Sequence, residues 1–225
     1  MAEKLSKKEI EKPDWFHTEF TRIVEFISRR RIQVAWIAGI VVFFLIVSSG
    51  WYLYRINYEK KAGQLYTQAR SAAYANIPAG RERNAIKLYE SVIAKYPGSR
   101  AAVTAYYRMG SLYFNLGEID RSVGAYGDFI KRSPKDSDLL ALAYMSLGYC
   151  HEAKGDLPKA LASFRDAIGA RGGKFFEAIV YRDMARICEE MKEPGKAVEY
   201  YRKALEKSSD PAMNLLLKRK IATLG

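Results

Sequence analysis

Three stretches of this chain repeat one arrangement of small and aromatic residues, and few folds accommodate it. The stretches begin at Tyr106, Tyr144 and Tyr181. In each, a small residue follows the tyrosine four positions on: Gly110, Gly148 and Ala185. A second small residue stands twelve further along, at Ser122, Ala160 and Ala197, and four beyond it an aromatic, at Tyr126, Phe164 and Tyr201. Residues three or four apart share a face of an α-helix, so each stretch reads as two helices whose small residues let them cross closely. The aromatics fill the space left between them. Gly117 and Gly155 mark the turns inside two pairs, and Pro194-Gly195 is expected to do so in the last. Pro97 and Pro134 end second helices.

A weaker copy carries Ala73, Ala85 and Tyr89, so the second-helix small residues recur at intervals of 37, 38 and 37. The pattern resembles the tetratricopeptide repeat, a two-helix unit of 34 residues that stacks into an α-solenoid. The longer intervals predict lengthened junctions. The resemblance implies repeats at about 66–99, 103–136, 141–174 and 178–211. Ser208 to Pro211 then read as the cap and first turn of a closing helix over 211–224, with Met213, Leu216, Leu217, Ile221 and Leu224 on one side.

Ahead of the repeats, residues 32–54 contain no charge. At about 1.5 Å per residue, such a helix reaches roughly 35 Å, enough to cross a hydrocarbon core of about 30 Å. Arg29, Arg30 and Arg31 close one end; Trp51, Tyr52 and Tyr54 form an aromatic belt at the other. The expected architecture is therefore all-α: a tail over 1–31, one transmembrane helix over 32–54, and a tetratricopeptide-repeat solenoid with a capping helix over 55–225. In the tail, Pro13-Asp14 starts an amphipathic helix carrying Phe16, Phe20, Ile23, Val24 and Ile27 beside the membrane. The arginine triplet favours a cytoplasmic tail, which in a bacterium leaves residues 55–225 in the periplasm.

The formal net charge of +12 is dispersed, with no run of five basic residues, so acidic partners or anionic lipid are expected rather than nucleic acid. Two cysteines and two histidines supply neither a disulfide scaffold nor a metal cluster. Cys150 and Cys188 fall on neighbouring first helices out of register, which predicts two buried free thiols. No phosphate-binding loop, nucleophile motif or metal-spaced carboxylates appear, and His151 reads as a packing residue. Neither an enzyme activity nor a cofactor is expected.

One span, a repeat domain and an ending of Pro211, Ala212, Lys220, Ile221 and Leu224 together resemble the bacterial YfgM-type family. That resemblance implies a single-pass inner-membrane adaptor associated with the Sec translocon and periplasmic chaperones. The clarity of the middle repeats is similar to that of outer-membrane assembly proteins, so an envelope-assembly adaptor is the alternative. Either one binds proteins or peptides on the inner face lined by first helices. Counting from the packing positions places Arg70, Tyr74, Tyr107, Arg108, Ser111, Phe114, Met145, Tyr149, Arg182 and Arg186 there. The Lys/Asn clamp with which some tetratricopeptide proteins hold a peptide carboxylate is replaced here by Arg70, Tyr107, Met145 and Arg182.

Overall fold

A computed structural model describes residues 21–22, 28–74 and 80–225. The helices are α1 (Arg31–Ala73), α2 (Arg81–Lys95), α3 (Arg100–Asn115), α4 (Ile119–Arg132), α5 (Leu140–Ala153), α6 (Leu157–Gly169), α7 (Glu177–Glu190), α8 (Pro194–Lys207) and α9 (Pro211–Leu224). A 3₁₀ turn, Gly173–Phe176, precedes α7, and the described residues contain no strand. The chain divides into two compact units, Met1–Ile56 and Asn57–Gly225, with the boundary inside α1. The expected apolar tail residues Phe16, Phe20, Ile23, Val24 and Ile27 lie outside the described residues.

In the first unit, α1 is long and apolar enough to cross a membrane by length and composition. Within that unit its large apolar side chains stand exposed: Trp36, Phe44 and Trp51 are each about two-thirds exposed or more.

The second unit stacks helix pairs. Helices α3 and α4, α5 and α6, and α7 and α8 are antiparallel partners, and α9 lies against α8. The small residues act as their spacing implies. A Cβ on Gly148 would stand 2.8 Å from the Phe164 ring, and one on Gly110 would stand 2.9 Å from the Tyr126 ring. Those contacts are too close to exist, so glycine is what lets each aromatic seat. Ser122, Ala160 and Ala197 are fully buried on the partner helices, and the Ser122 hydroxyl donates to the Gly110 carbonyl at 2.7 Å.

All three turns inside these pairs close alike. The N–H groups of Glu118, Asp156 and Glu193 donate to the carbonyls of Tyr113, His151 and Cys188, each at 2.9 Å, which satisfies carbonyls that a helix end otherwise orphans. The motif needs one residue with positive φ. Gly117 and Gly155 supply it in the first two turns, but in the last it is Lys192, at φ 59°. Pro194-Gly195 instead opens α8, with Pro194 in the first turn, where its missing N–H is not needed.

The first pair departs from the expected register. The connection over 74–80 is one helical turn longer than the later turns, so the small residue meeting α2 is Ala69, fully buried, and Ala73 is only half-buried. Tyr66 lies three residues before Ala69 with its ring centroid 5.4 Å from Tyr89, as Tyr107 lies three before Gly110 at 5.6 Å from Tyr126.

Lengthened junctions occur at 133–139 and 170–176, as expected. Between α2 and α3 the connection is short, and the longer interval is taken up by the 16 residues of α3. The Asp210 carboxylate caps α9 by accepting from Ala212 N–H at 2.9 Å. On α9, Leu217 is fully buried and Met213, Ile221 and Leu224 pack beside it, whereas Leu216 is half exposed. The closing residues Lys220, Ile221 and Leu224 thus all serve this cap: Lys220 Nζ lies 2.8 Å from Glu189 on α7.

Lys192 holds a backbone conformation that costs an L side chain on the order of 1 kcal/mol. Lys192→Gly should raise the unfolding free energy by about 0.5–1 kcal/mol, less than the full relief because glycine also loosens the unfolded chain. Urea unfolding of the two proteins in the same detergent checks this; an equal or lower midpoint for the glycine variant would show that the turn is unstrained.

Candidate partner-binding face

The first helices present two chemically different halves. In the first half, Arg108 on α3 directs Nε to the Tyr66 hydroxyl at 3.3 Å and lies 5.8 Å from the Tyr107 ring centroid. Tyr107 itself is a packing residue, with ring centroids 5.6 Å from Tyr126 and 5.5 Å from Phe129. Beside Arg108, a cavity of about 230 Å³ is lined by Tyr74, Tyr89, Arg108, Ser111 and Asn115 among others. Burial pushes the Tyr89 phenol up to about 12, so it stays protonated. Arg81 and Glu82 at the cavity rim pair with one another at 2.9 Å. Arg70 is exposed, Tyr74 is 72% exposed and Phe114 is 38% exposed. Among the described residues, neither Arg70 nor Arg108 pairs with a carboxylate.

The corrected register moves two of these residues along the helix. Counted from Ala69, Arg70 takes the place that Ser111 holds in the next repeat, and Tyr74 that of Asn115. The cavity nevertheless brings Tyr74, Arg108 and Ser111 together.

In the second half the expected open arginines are already committed. Asp183 is only 2% exposed, and it takes Arg182 Nε at 3.0 Å and Nη2 at 2.8 Å. The Tyr149 hydroxyl donates to the same carboxylate, and its ring meets Phe164 edge-on at 5.2 Å. Burial, and then this bond, push the Tyr149 hydroxyl well above its ordinary value. Arg186 Nη2 donates to Glu152 at 2.8 Å, with Glu190 at 3.5 Å. Met145 is 7% exposed in the core with Phe164, Val180 and Met184, so it is not on an accessible face.

The Tyr149 bond to Asp183 and the Glu152 bond to Arg186 escape a count along single helices because each joins neighbouring repeats. A signal is there: Tyr149–Asp183, Glu152–Arg186 and Asp120–Lys154 are each 34 residues apart. The contacts thus join positions one turn short of the homologous ones.

Glu189 ties the cap to the last repeat. Burial pushes its carboxyl up, but hydrogen bonds from Lys220 and Tyr201 outweigh this and hold it below the usual range. Cys150 and Cys188 are free and fully buried, and burial raises both thiols. Burial likewise lowers the half-buried His151. Among the described residues no group of three His, Cys, Asp or Glu is placed to hold a metal ion.

The comparisons agree with this geometry. Two family models, both described as tetratricopeptide repeat, match residues 61–99 and 104–136 and residues 139–208. The matched residues therefore form tetratricopeptide repeats. Among solved structures, a crystal structure of MamA is 20% identical, with TM-score 0.53 over 64% of this chain and 77% of that one. MamA 41-end from Desulfovibrio magneticus RS-1 is 18% identical, with TM-score 0.53 over 65% and 75%. A kinesin-light-chain-type protein of Podosopora anserina with nearly identical TPR-like repeats is 13% identical, with TM-score 0.56 over 74% and 86%. At such identities these likenesses show the fold alone. Comparison with curated proteins finds no match.

Arg182→Glu should destabilise the domain by about 3–5 kcal/mol, since it leaves a second carboxylate beside the buried Asp183. Arg70→Glu, on an exposed face, should change stability by less than about 0.5 kcal/mol. Urea unfolding followed by circular dichroism separates them; equal midpoints would remove Asp183–Arg182 from the scaffold.

Proposed function

We propose that this chain is a membrane-anchored, non-catalytic adaptor that holds a partner polypeptide in the first half of its inner groove. The observation that carries the reading is the contrast between the two halves. Arg182 and Arg186 are neutralised by Asp183, Glu152 and Glu190, whereas among the described residues neither Arg70 nor Arg108 pairs with a carboxylate, and Arg108 lines a cavity. Exposed Tyr74 and Phe114 supply the aromatic surface that interfaces favour. An acidic side chain or terminal carboxylate of the partner completes such a site: it meets two cations already positioned, one of them fixed by the Tyr66 hydroxyl and the Tyr107 ring.

Residues 32–54 are the anchor in this reading, with the tail cytoplasmic and the repeat domain across the bacterial inner membrane. The uncovered apolar side chains of α1 support it, since that surface is costly in water and unremarkable in lipid. The resemblance to the YfgM-type family points to partners at the Sec translocon and among periplasmic chaperones.

Partner capture from mild detergent should drop sharply for Arg70→Glu combined with Arg108→Gln while helicity is retained. Proteinase added to spheroplasts should digest the repeat domain and spare the tail. Undiminished recovery by the double variant moves the binding site elsewhere, and a protected repeat domain reverses the topology.

A further inference from the structure

One edge of the repeat domain gathers every junction between helix pairs. Tyr58, near the start of the domain, packs edge-on against Tyr96 at 5.1 Å, and Glu59 accepts from Arg100 N–H at 3.1 Å. A cavity of about 430 Å³ runs from Gly98–Arg100 to Arg132–Ser137. Arg171 Nε then reaches Asp138 at 3.0 Å, and Lys207 reaches Glu177 at 3.5 Å. The edge is thus continuous from residue 58 to the last repeat.

Its charge differs from that of the opposite edge. The junction segments 96–100, 131–139 and 170–177 carry six Lys and Arg against three Asp and Glu, whereas the turn segments 115–120, 153–159 and 190–196 carry four against five. Within the junction edge, Phe175 is 89% exposed while its neighbour Phe176 packs into the core. This presentation is built rather than loose. A Cβ on Gly173 would stand 2.3 Å from the Ala167 carbonyl oxygen, and Gly172 takes φ 78°, so the backbone is pressed against the end of α6 with Phe175 outward. Lys174 precedes Phe175 directly in the sequence, and Arg171, which pairs with the exposed Asp138, stands four positions before it.

We propose that this junction edge is a second membrane contact, in which Phe175 enters the headgroup region of an anionic bilayer, with Lys174 and Arg171 close before it in the chain. The inference rests on the reading of residues 32–54 as an anchor. Tyr58 on the edge follows Tyr54, the last residue of the apolar run, by four positions, at most about 14 Å of chain. An aromatic ring near cations is the combination that suits an interface bearing negative headgroups.

The test uses the full chain reconstituted into phosphatidylcholine vesicles with or without phosphatidylglycerol. Phe175→Cys is labelled with an environment-sensitive NBD dye while the buried Cys150 and Cys188 stay unreacted, and Lys154→Cys on the opposite edge serves as the control. We expect co-flotation with both vesicles, and a severalfold brighter, blue-shifted emission at position 175 only with phosphatidylglycerol. Combining Arg171→Glu and Lys174→Glu should abolish that shift. Co-flotation with identical emission at positions 175 and 154 overturns the edge contact and leaves the anchor standing. Failure to float overturns the anchor and the edge contact with it.

Discussion

The packing of an aromatic ring from a second helix onto a first helix that has no side chain in its way is what the rest of the domain depends on. Tyr126 on Gly110 and Phe164 on Gly148 bring the helix backbones close, and the distances to a notional Cβ show how little room remains. With the pairs held this tightly, one connection geometry closes all three turns. The last pair uses Ala185 against Tyr201 and a lysine in the left-handed turn position, so the same arrangement tolerates a methyl group and some backbone strain at the solenoid's end.

From that spacing follows the chemistry of the inner face. Two contacts between repeats on this face fall 34 residues apart, one turn short of homologous positions, and bring Tyr149 to Asp183 and Glu152 to Arg186. A carboxylate as buried as Asp183 requires these partners, so the second half of the face is consumed by the scaffold. In the first half the longer connection shifts α1 by a turn. A cavity opens beside Arg108, and the acid that lines it, Glu82, is paired with Arg81. The same irregularity that weakens the first repeat as a copy leaves its groove available.

The helix pairs, the small and aromatic positions and the capping helix were legible in the sequence, because each is set by spacing within one or two helices. The register of the first pair was not, since Ala73 and Ala69 both lie on a helix face and only the length of the connection distinguishes them. Lys192 is not legible in the sequence because a left-handed turn announces itself through glycine, and Pro194-Gly195 stands two residues on. Among the face residues, Arg108, Ser111 and Tyr74 converge on one cavity. Met145 and Arg186 differ because Val180 and Met184 in one case and Glu152 in the other come from a neighbouring repeat, whereas the carboxylate that takes Arg182 is the adjacent Asp183, held in place by Tyr149 of the preceding repeat.

A double-mutant cycle on Gly148 and Phe164 measures the ring-on-glycine contact directly. Gly148→Ala gains helix propensity of up to about 1 kcal/mol, yet it should destabilise the domain in urea because the new methyl meets the Phe164 ring. In a Phe164→Leu background the same change should become neutral or stabilising, giving a coupling energy of about 1 kcal/mol or more. If instead the two changes add to within about 0.5 kcal/mol, the ring and the glycine are independent, and something other than their contact spaces the helices.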